Sequence, residues 1–214
     1  MPTVFGINAS PFVRKVRVFL AEKGIAYTLD PVIPVNVSDE FKKMSPLGKI
    51  PVYQDGDKVL PDSSVICAYL EKVHPHPALY PSDPYEYGRA LWFEEYADTG
   101  LVNVFGPKIF FQKVINPAFF GKPTDEEMVN KAVNEELPPL FNYLESQIKG
   151  AHLAGSSFSI ADIAVGSQFV NLRHAGYGVA EKQWPKLARY VAAIHARASF
   201  KALIDEEAPQ FAKA

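Results

Sequence analysis

The sequence predicts an α/β unit followed by an all-α unit, and three observations carry that expectation. Up to Val73, short apolar runs of strand character alternate with stretches of helical periodicity. Then HPHPALYPSDP places four prolines, at 75, 77, 81 and 84, where no regular element can continue. From Tyr85 onward the apolar spacing is helical, and no strand-like alternation of any length returns. The expected division is an α/β domain over 1–76, a proline-rich linker over 77–84 and an all-helical bundle over 85–214.

Val4 to Ile7 reads as the first strand, closed by Asn-Ala-Ser-Pro. Phe12, Val13, Val16, Phe19 and Leu20 then recur at helical spacing, with Ser10 as N-cap, Pro11 at the first helical position and Gly24 as the stop. Arg14, Lys15 and Arg17 fall in this helix and read as its wet face, with Arg14 or Arg17 bracing the domain interface as the other reading. Tyr27 to Ile33 reads as a second strand and Asp39 to Met44 as a short helix. Ile50 to Gln54 and Lys58 to Leu60 flank Asp55-Gly56, a strong hairpin signal. Asp62-Ser63-Ser64 then opens an apolar pattern at Val65, Ile66, Tyr69, Leu70 and Val73, as a helix start requires. The order is βαβ then αββα, the thioredoxin-like plan, with a parallel pair from the crossover and an antiparallel pair from the hairpin.

In the helical part, breaks are expected at Gly106-Pro107, at Asn116 to Pro123 and at Gly150. Thr124 with Glu127 forms a capping box opening a long helix to about Lys149, which Pro138-Pro139 must kink or interrupt. Ser159 with Asp162 in FSIAD forms a second box, with Phe158 and Ile163 as a hydrophobic staple.

The stretch GKIPVYQDGDKVLPDSSVICAYLEK, Gly48 to Lys72, resembles the glutathione-binding half of cytosolic glutathione transferases. NASPFVRKVRVFLAEKG resembles the opening of their serine-type classes (bacterial, tau, theta and phi-like), and the box at Ser159 matches a feature of their helical domain. The resemblance covers nearly the whole chain. It implies a cis Pro51, a backbone contact from Ile50 to the cysteinyl part of glutathione, and a grip on the γ-glutamyl end by Asp62 and Ser63. Asp stands where Glu is commoner in the family, which shortens the reach by a methylene. Lys49, or Lys42, would meet the glycyl carboxylate.

A glutathione thiol works only as thiolate, and an ordinary cysteine-like thiol has a pKa near 8.5. Lowering it by about two units requires about 2.7 kcal/mol of selective stabilisation. A helix N-terminus contributes about 0.3–1 kcal/mol and a hydrogen bond to a charged acceptor about 1.5–3 kcal/mol. A hydroxyl donor is therefore needed, and the resemblance assigns that role to Ser10; read locally, Ser10 is an N-cap. No Tyr precedes Tyr27 and no Cys precedes Cys67, which argues against tyrosine-type and cysteine-type classes. Asn8 and Phe12 flank the sulfur position, and Phe105, Phe110 and Phe111 are candidates for a pocket that takes a hydrophobic electrophile. Turn formation, core packing or dimer contact explain the same residues. Asp98 is a candidate cross-subunit contact.

The remaining signals bound the function. A net charge of −2 from 22 basic and 24 acidic residues gives no nucleic-acid footprint. Cys67, the sole cysteine, excludes an internal disulfide and a CxxC motif, and it sits on an apolar helical pattern that suits a buried thiol. The five histidines show no metal-ligand spacing, and no phosphate-loop or GxSxG motif occurs. The N-terminus lacks a basic segment followed by an apolar run, and no apolar stretch reaches about 18 residues. The expectation is a cytoplasmic homodimer in detoxification, using glutathione as co-substrate, with no metal, nucleic acid or membrane. A glutathione-dependent isomerase, peroxidase or dehalogenase, or a non-catalytic ligand-binding member, is the alternative.

Overall fold

The computed structural model describes residues 1–211, so the last three residues of the expected helical domain lie outside it. The chain divides into two compact units, Met1–Tyr80 and Pro81–Ala214.

The first unit is a four-stranded mixed sheet with three helices, in the order β1 (Thr3–Phe5), α1 (Pro11–Glu22), β2 (Thr28–Asp30), α2 (Asp39–Met44), β3 (Val52–Asp55), β4 (Lys58–Pro61) and α3 (Ser63–Val73). The thioredoxin-like order read from the sequence is the one observed. Strands run β2-β1-β3-β4, with β1 parallel to β2 and antiparallel to β3. The hairpin turns at Gly56, whose φ of 61° a side chain would oppose. Ser10 caps α1, its Oγ accepting from the Val13 N–H at 3.3 Å, with Pro11 in the first turn. At the other end Ile25 N–H reaches the Leu20 carbonyl at 2.9 Å and Gly24 N–H the Ala21 carbonyl at 3.0 Å, a Schellman closure. Val4, Val13, Val16, Phe19, Leu20, Val52, Ile66, Cys67 and Leu70 form the core.

Two expectations fail here. The β1 and β2 ladders are three residues each, shorter than the apolar runs around them. Single hydrogen bonds carry the contact one step further, Gly6 N–H to the Asp30 carbonyl at 2.9 Å and Val32 N–H to the Gly6 carbonyl at 3.3 Å, around Pro31. More consequentially, Arg14, Lys15 and Arg17 are not a wet face: they are 0%, 1% and 5% exposed. Their long apolar stems cover the helix flank while their heads reach polar partners elsewhere in the unit. The start of the proline-rich stretch also belongs to this unit. Lys23 Nζ, fully buried, donates to Glu71 Oε2 and to the Pro77 carbonyl, and Glu71 accepts from Leu79 N–H.

The second unit contains only helices among the described residues. Asp83 caps α4 (Pro84–Glu95) by accepting from the N–H groups of Tyr85 and Glu86. The helix continues through a π turn at Tyr96–Leu101, one α turn α5 (Val102–Val104) and a wide π segment at Phe105–Phe120. Gly106-Pro107 therefore does not break the chain: the wider register accommodates a residue without an N–H. The helix predicted from Thr124 starts one residue later. Asp125 is the cap, accepting from Met128 N–H at 2.9 Å, while Thr124 donates to the Gln112 carbonyl. Nor is it one helix. Helix α6 (Glu126–Lys131) passes through a π turn at Ala132–Glu136 into α7 (Leu137–Gln147), with Pro138 and Pro139 directly after the change of register.

Helix α8 (Ile160–His174) is buried along Ile160 to Leu172 and forms the centre of this unit. Of the box expected at its start, the carboxylate half is clear: Asp162 Oδ2 accepts from Ser159 N–H at 3.0 Å. Its Oδ1 accepts from Leu153 N–H at 3.1 Å and from Tyr190 Oη–H at 2.8 Å. Gly166 lets α9 (Pro185–His195) and α10 (Ala198–Phe211) approach, since an added Cβ would meet Ile194 Cγ2 at 2.6 Å and Phe200 Cζ at 2.9 Å.

Candidate functional site

Sheet register brings the candidate residues of the first unit to one end. Phe5 stands opposite Val52, and Val52 opposite Pro61, so the exit of β1, the entry of β3 and the exit of β4 share an edge. Ser10 follows the first, Ile50-Pro51 precedes the second and Asp62-Ser63 follows the third. Two helix N-termini, those of α1 and α3, begin there, each offering N–H groups that the helix itself leaves unpaired.

Ser10 Oγ uses a lone pair on the Val13 N–H, which leaves its own proton for another acceptor. The Ile50-Pro51 peptide bond is cis. Ile50 is 9% exposed and makes no backbone hydrogen bond within the described residues, although buried backbone groups are nearly always paired. The Pro51 carbonyl accepts from Asp62 N–H at 3.3 Å, joining the loop before β3 to the start of α3. Asp62 lies at φ 78°, ψ 131°, a conformation costing a non-glycine residue on the order of 1–3 kcal/mol. Its Oδ1 caps α3 by accepting from Ser64 N–H at 2.9 Å and Val65 N–H at 3.1 Å. Ser63 is buried, and neither its N–H nor its hydroxyl takes a partner within the described residues.

The other candidates are more loosely placed. Lys49 is exposed, fixed by its backbone to the Ser45 hydroxyl. Lys42 pairs with Asp39 at 3.2 Å on the exposed side of α2. Asn8 and Phe12 are half-buried on either side of Ser10. In the helical unit Phe105 is fully enclosed, with Phe169 and Phe141 rings at 5.2 and 6.1 Å, and Phe110 is buried against Phe211 at 5.6 Å. Phe111 is 41% exposed and contacts Phe120.

What sequence reasoning missed is the support beneath these loops. Arg17 Nη1 donates to Asn8 Oδ1 at 2.9 Å and its Nε to Tyr27 Oη at 2.6 Å, while Arg14 Nη2 donates to the Asn8 carbonyl at 3.3 Å. These bonds brace the turn that presents Ser10. Lys15 Nζ donates to Ser64 Oγ at 2.9 Å, tying α1 to the first turn of α3. The signal available was a run of three cations beside apolar positions on a helix whose only predicted wet residues they were. Among phenols, burial pushes Tyr53 up to about 12, helped by Asp55 and Tyr69, and Tyr96 up to about 12, helped by Tyr143. Tyr190 is driven well above its ordinary value by burial and then by Asp162.

The arrangement offers a hydroxyl donor, two helix N-termini and unpaired backbone groups at one end of the sheet. Glutathione S-transferase domain families match this chain, the N-terminal domain over residues 4–78 and the C-terminal domain over 110–207. A mouse relative, glutathione S-transferase theta-3, is 30% identical over 83% of this chain and 75% of its own length. The chain belongs to the glutathione S-transferase family. An Escherichia coli relative, the uncharacterized GST-like protein YibF, is 29% identical over 91% of this transferase-family chain and 94% of its own. Human glutathione S-transferase T1-1, in its apo form, superposes with a TM-score of 0.85 at 26% identity, covering 100% of this chain and 90% of that one. As a family member, the chain has glutathione as the expected small-molecule partner. Among the described residues no helix is long and apolar enough to cross a membrane, and no group of three His, Cys, Asp or Glu is placed to hold a metal.

Proposed function

We propose that this protein binds glutathione at the shared edge of its sheet and transfers the glutathionyl group to hydrophobic electrophiles. The observation that carries the reading is the gathering of Ser10, Ile50-Pro51 and Asp62-Ser63 by the β1-β3-β4 register, with donors left unpaired at each. The γ-glutamyl carboxylate would take the Ser63 N–H and hydroxyl at the α3 N-terminus, and Asp62, through its free Oδ2, the γ-glutamyl ammonium. The cysteinyl residue would pair in β fashion with the N–H and carbonyl of Ile50. Lys49 would meet the glycyl carboxylate. That leaves the sulfur over the first turn of α1, where the Ser10 hydroxyl donates to it.

The chemistry then follows. The thiol releases its proton to water, the thiolate is held by Ser10 and the α1 N-terminus, and sulfur attacks an electrophilic carbon. A C–S bond forms as the leaving group departs with its electron pair, or as the π pair of an activated double bond shifts onto its electron-withdrawing group and the resulting anion takes a proton from water. Asn8 and Phe12 would border the sulfur. Because Phe105 and Phe110 are committed to core packing, Phe111 is the ring of the proposed pocket with surface to offer. The working form is a cytoplasmic homodimer in a detoxifying role.

The test is an ultraviolet thiolate titration of glutathione bound to the purified protein, from about pH 5 to 9, beside free glutathione. A bound thiol titrating one to two units below the ordinary 8.5 is the expected result. No binding, or an unshifted thiol, refutes the catalytic reading.

A further inference from the structure

We propose a second binding site, for a small ligand carrying two or three phosphate groups, in a groove of the helical unit. A cavity of about 600 Å³ lies between the loop after α7 and the first turns of α9, with Lys149, Gly150 and Ala151 on one side and Lys186, Arg189 and Tyr190 on the other. Its volume suits a small molecule.

The charge distribution decides the ligand class. Lys149, Lys186 and Arg189 converge on this groove, and none meets a carboxylate at ion-pair distance among the described residues. Six lysines elsewhere, Lys23, Lys42, Lys43, Lys108, Lys113 and Lys201, face an acid, whereas these three cations share one groove without one among the described residues. Lys186 and Arg189 stand three apart on one helix face, an arrangement of like charges that costs stability unless an anion answers it. The Glu145 carboxylate, at the start of α9, is committed: its two oxygens accept from the N–H groups of Lys186 and Leu187 at 3.1 and 2.8 Å. That carboxylate also occupies the end of α9, so the groove recruits an anion through side chains and not through the helix terminus.

Two further details suit charged oxygens. The Tyr190 hydroxyl is turned to Asp162 and offers no competing acceptor. The N–H groups of Gly150 and Ala151 enter no backbone hydrogen bond among the described residues, and these small side chains leave the approach open. A single carboxylate would leave two of the three cations unanswered; a di- or triphosphate answers all three. The site uses none of the residues of the proposed glutathione site, so the two readings stand or fall separately.

Titration calorimetry on the full chain with tripolyphosphate and with ATP, and adenosine as the control, tests this at about 50 and 200 mM salt. Saturable binding of both phosphates at one site per chain is expected, with no binding of adenosine and weaker binding at higher salt. Each of Lys149→Gln, Lys186→Gln and Arg189→Gln is expected to weaken ATP binding about tenfold, as a lost charge-assisted hydrogen bond does, with thermal midpoint and conjugation rate unchanged. Absence of saturable binding, or equal binding by the triple variant, would overturn the proposal. So would tighter binding of a single-stranded oligonucleotide than of ATP, which would make the groove part of a polymer-binding face.

Discussion

Replacing Ser10 with Ala removes two things that can be measured apart. The first is the cap on α1, a bond of 3.3 Å from the Val13 N–H, at the long end of the useful range. Its loss costs about 0.5–1 kcal/mol, the lower part of the N-cap range. The second is the proton that the same hydroxyl keeps free for a sulfur anion. A charge-assisted bond of about 1.5–3 kcal/mol corresponds to roughly one to two units on the thiol. If bound glutathione titrates near 6.5 in the native protein, it titrates near 8 in the variant, and at pH 6.5 the thiolate fraction falls from about a half to about 3%. Turnover of an activated aryl chloride should therefore drop by more than tenfold at pH 6.5. The deficit should shrink to less than twofold at pH 9, where both proteins hold thiolate. Urea denaturation should show only the small cap loss. A deficit that stays constant from pH 6 to 9 would refute the thiolate role, because a misplaced substrate or a damaged helix has no reason to recover with pH.

Three other outcomes are expected. Asp62→Ala should lower stability by about 1 kcal/mol in chemical denaturation through loss of the α3 cap, with Asp62→Asn close to native, and both should weaken glutathione binding in calorimetry. Gly166→Ala should lower stability by about 1–3 kcal/mol, read as a drop in thermal midpoint, because its methyl group enters the space of Ile194 and Phe200. Tyr53 and Tyr96 should ionise late in a spectrophotometric titration, near 12 against an ordinary 10. Since the folded state holds their protons more tightly than the unfolded one, the stability they contribute is intact below pH 10 and is lost as pH rises towards 12.

The parts of the fold legible in the sequence were those set by neighbours within a few residues. Ser10-Pro11, Gly24, Asp55-Gly56 and Asp62 each act on backbone geometry next to themselves, and each stands where local chemistry puts it. Thr124 misled because Asp125, one step on, competes for the same cap and wins. The π turns were not legible, since no residue type marks an i→i+5 bond as Asp or Gly marks a cap, and Pro117, inside the wide segment, reads in the sequence as a stop. The candidate site was recoverable as motifs; its bracing was not. Arg17 finds Asn8 and Tyr27, and Lys15 finds Ser64 49 residues away, partnerships that only the folded chain creates. Aliphatic stems let these residues mimic a solvated face in any pattern count.

That bracing gives the two loops a common fate. The Asn8 turn hangs from Arg14 and Arg17, and the first turn of α3 hangs from Lys15, so one twelve-residue helix holds both halves of the cradle. Amide hydrogens of α1 and of Ser64-Val65 should then exchange with solvent as a single unit and not as two. A ligand that touches either loop would slow exchange at the other, spreading protection across the cradle without any change of shape.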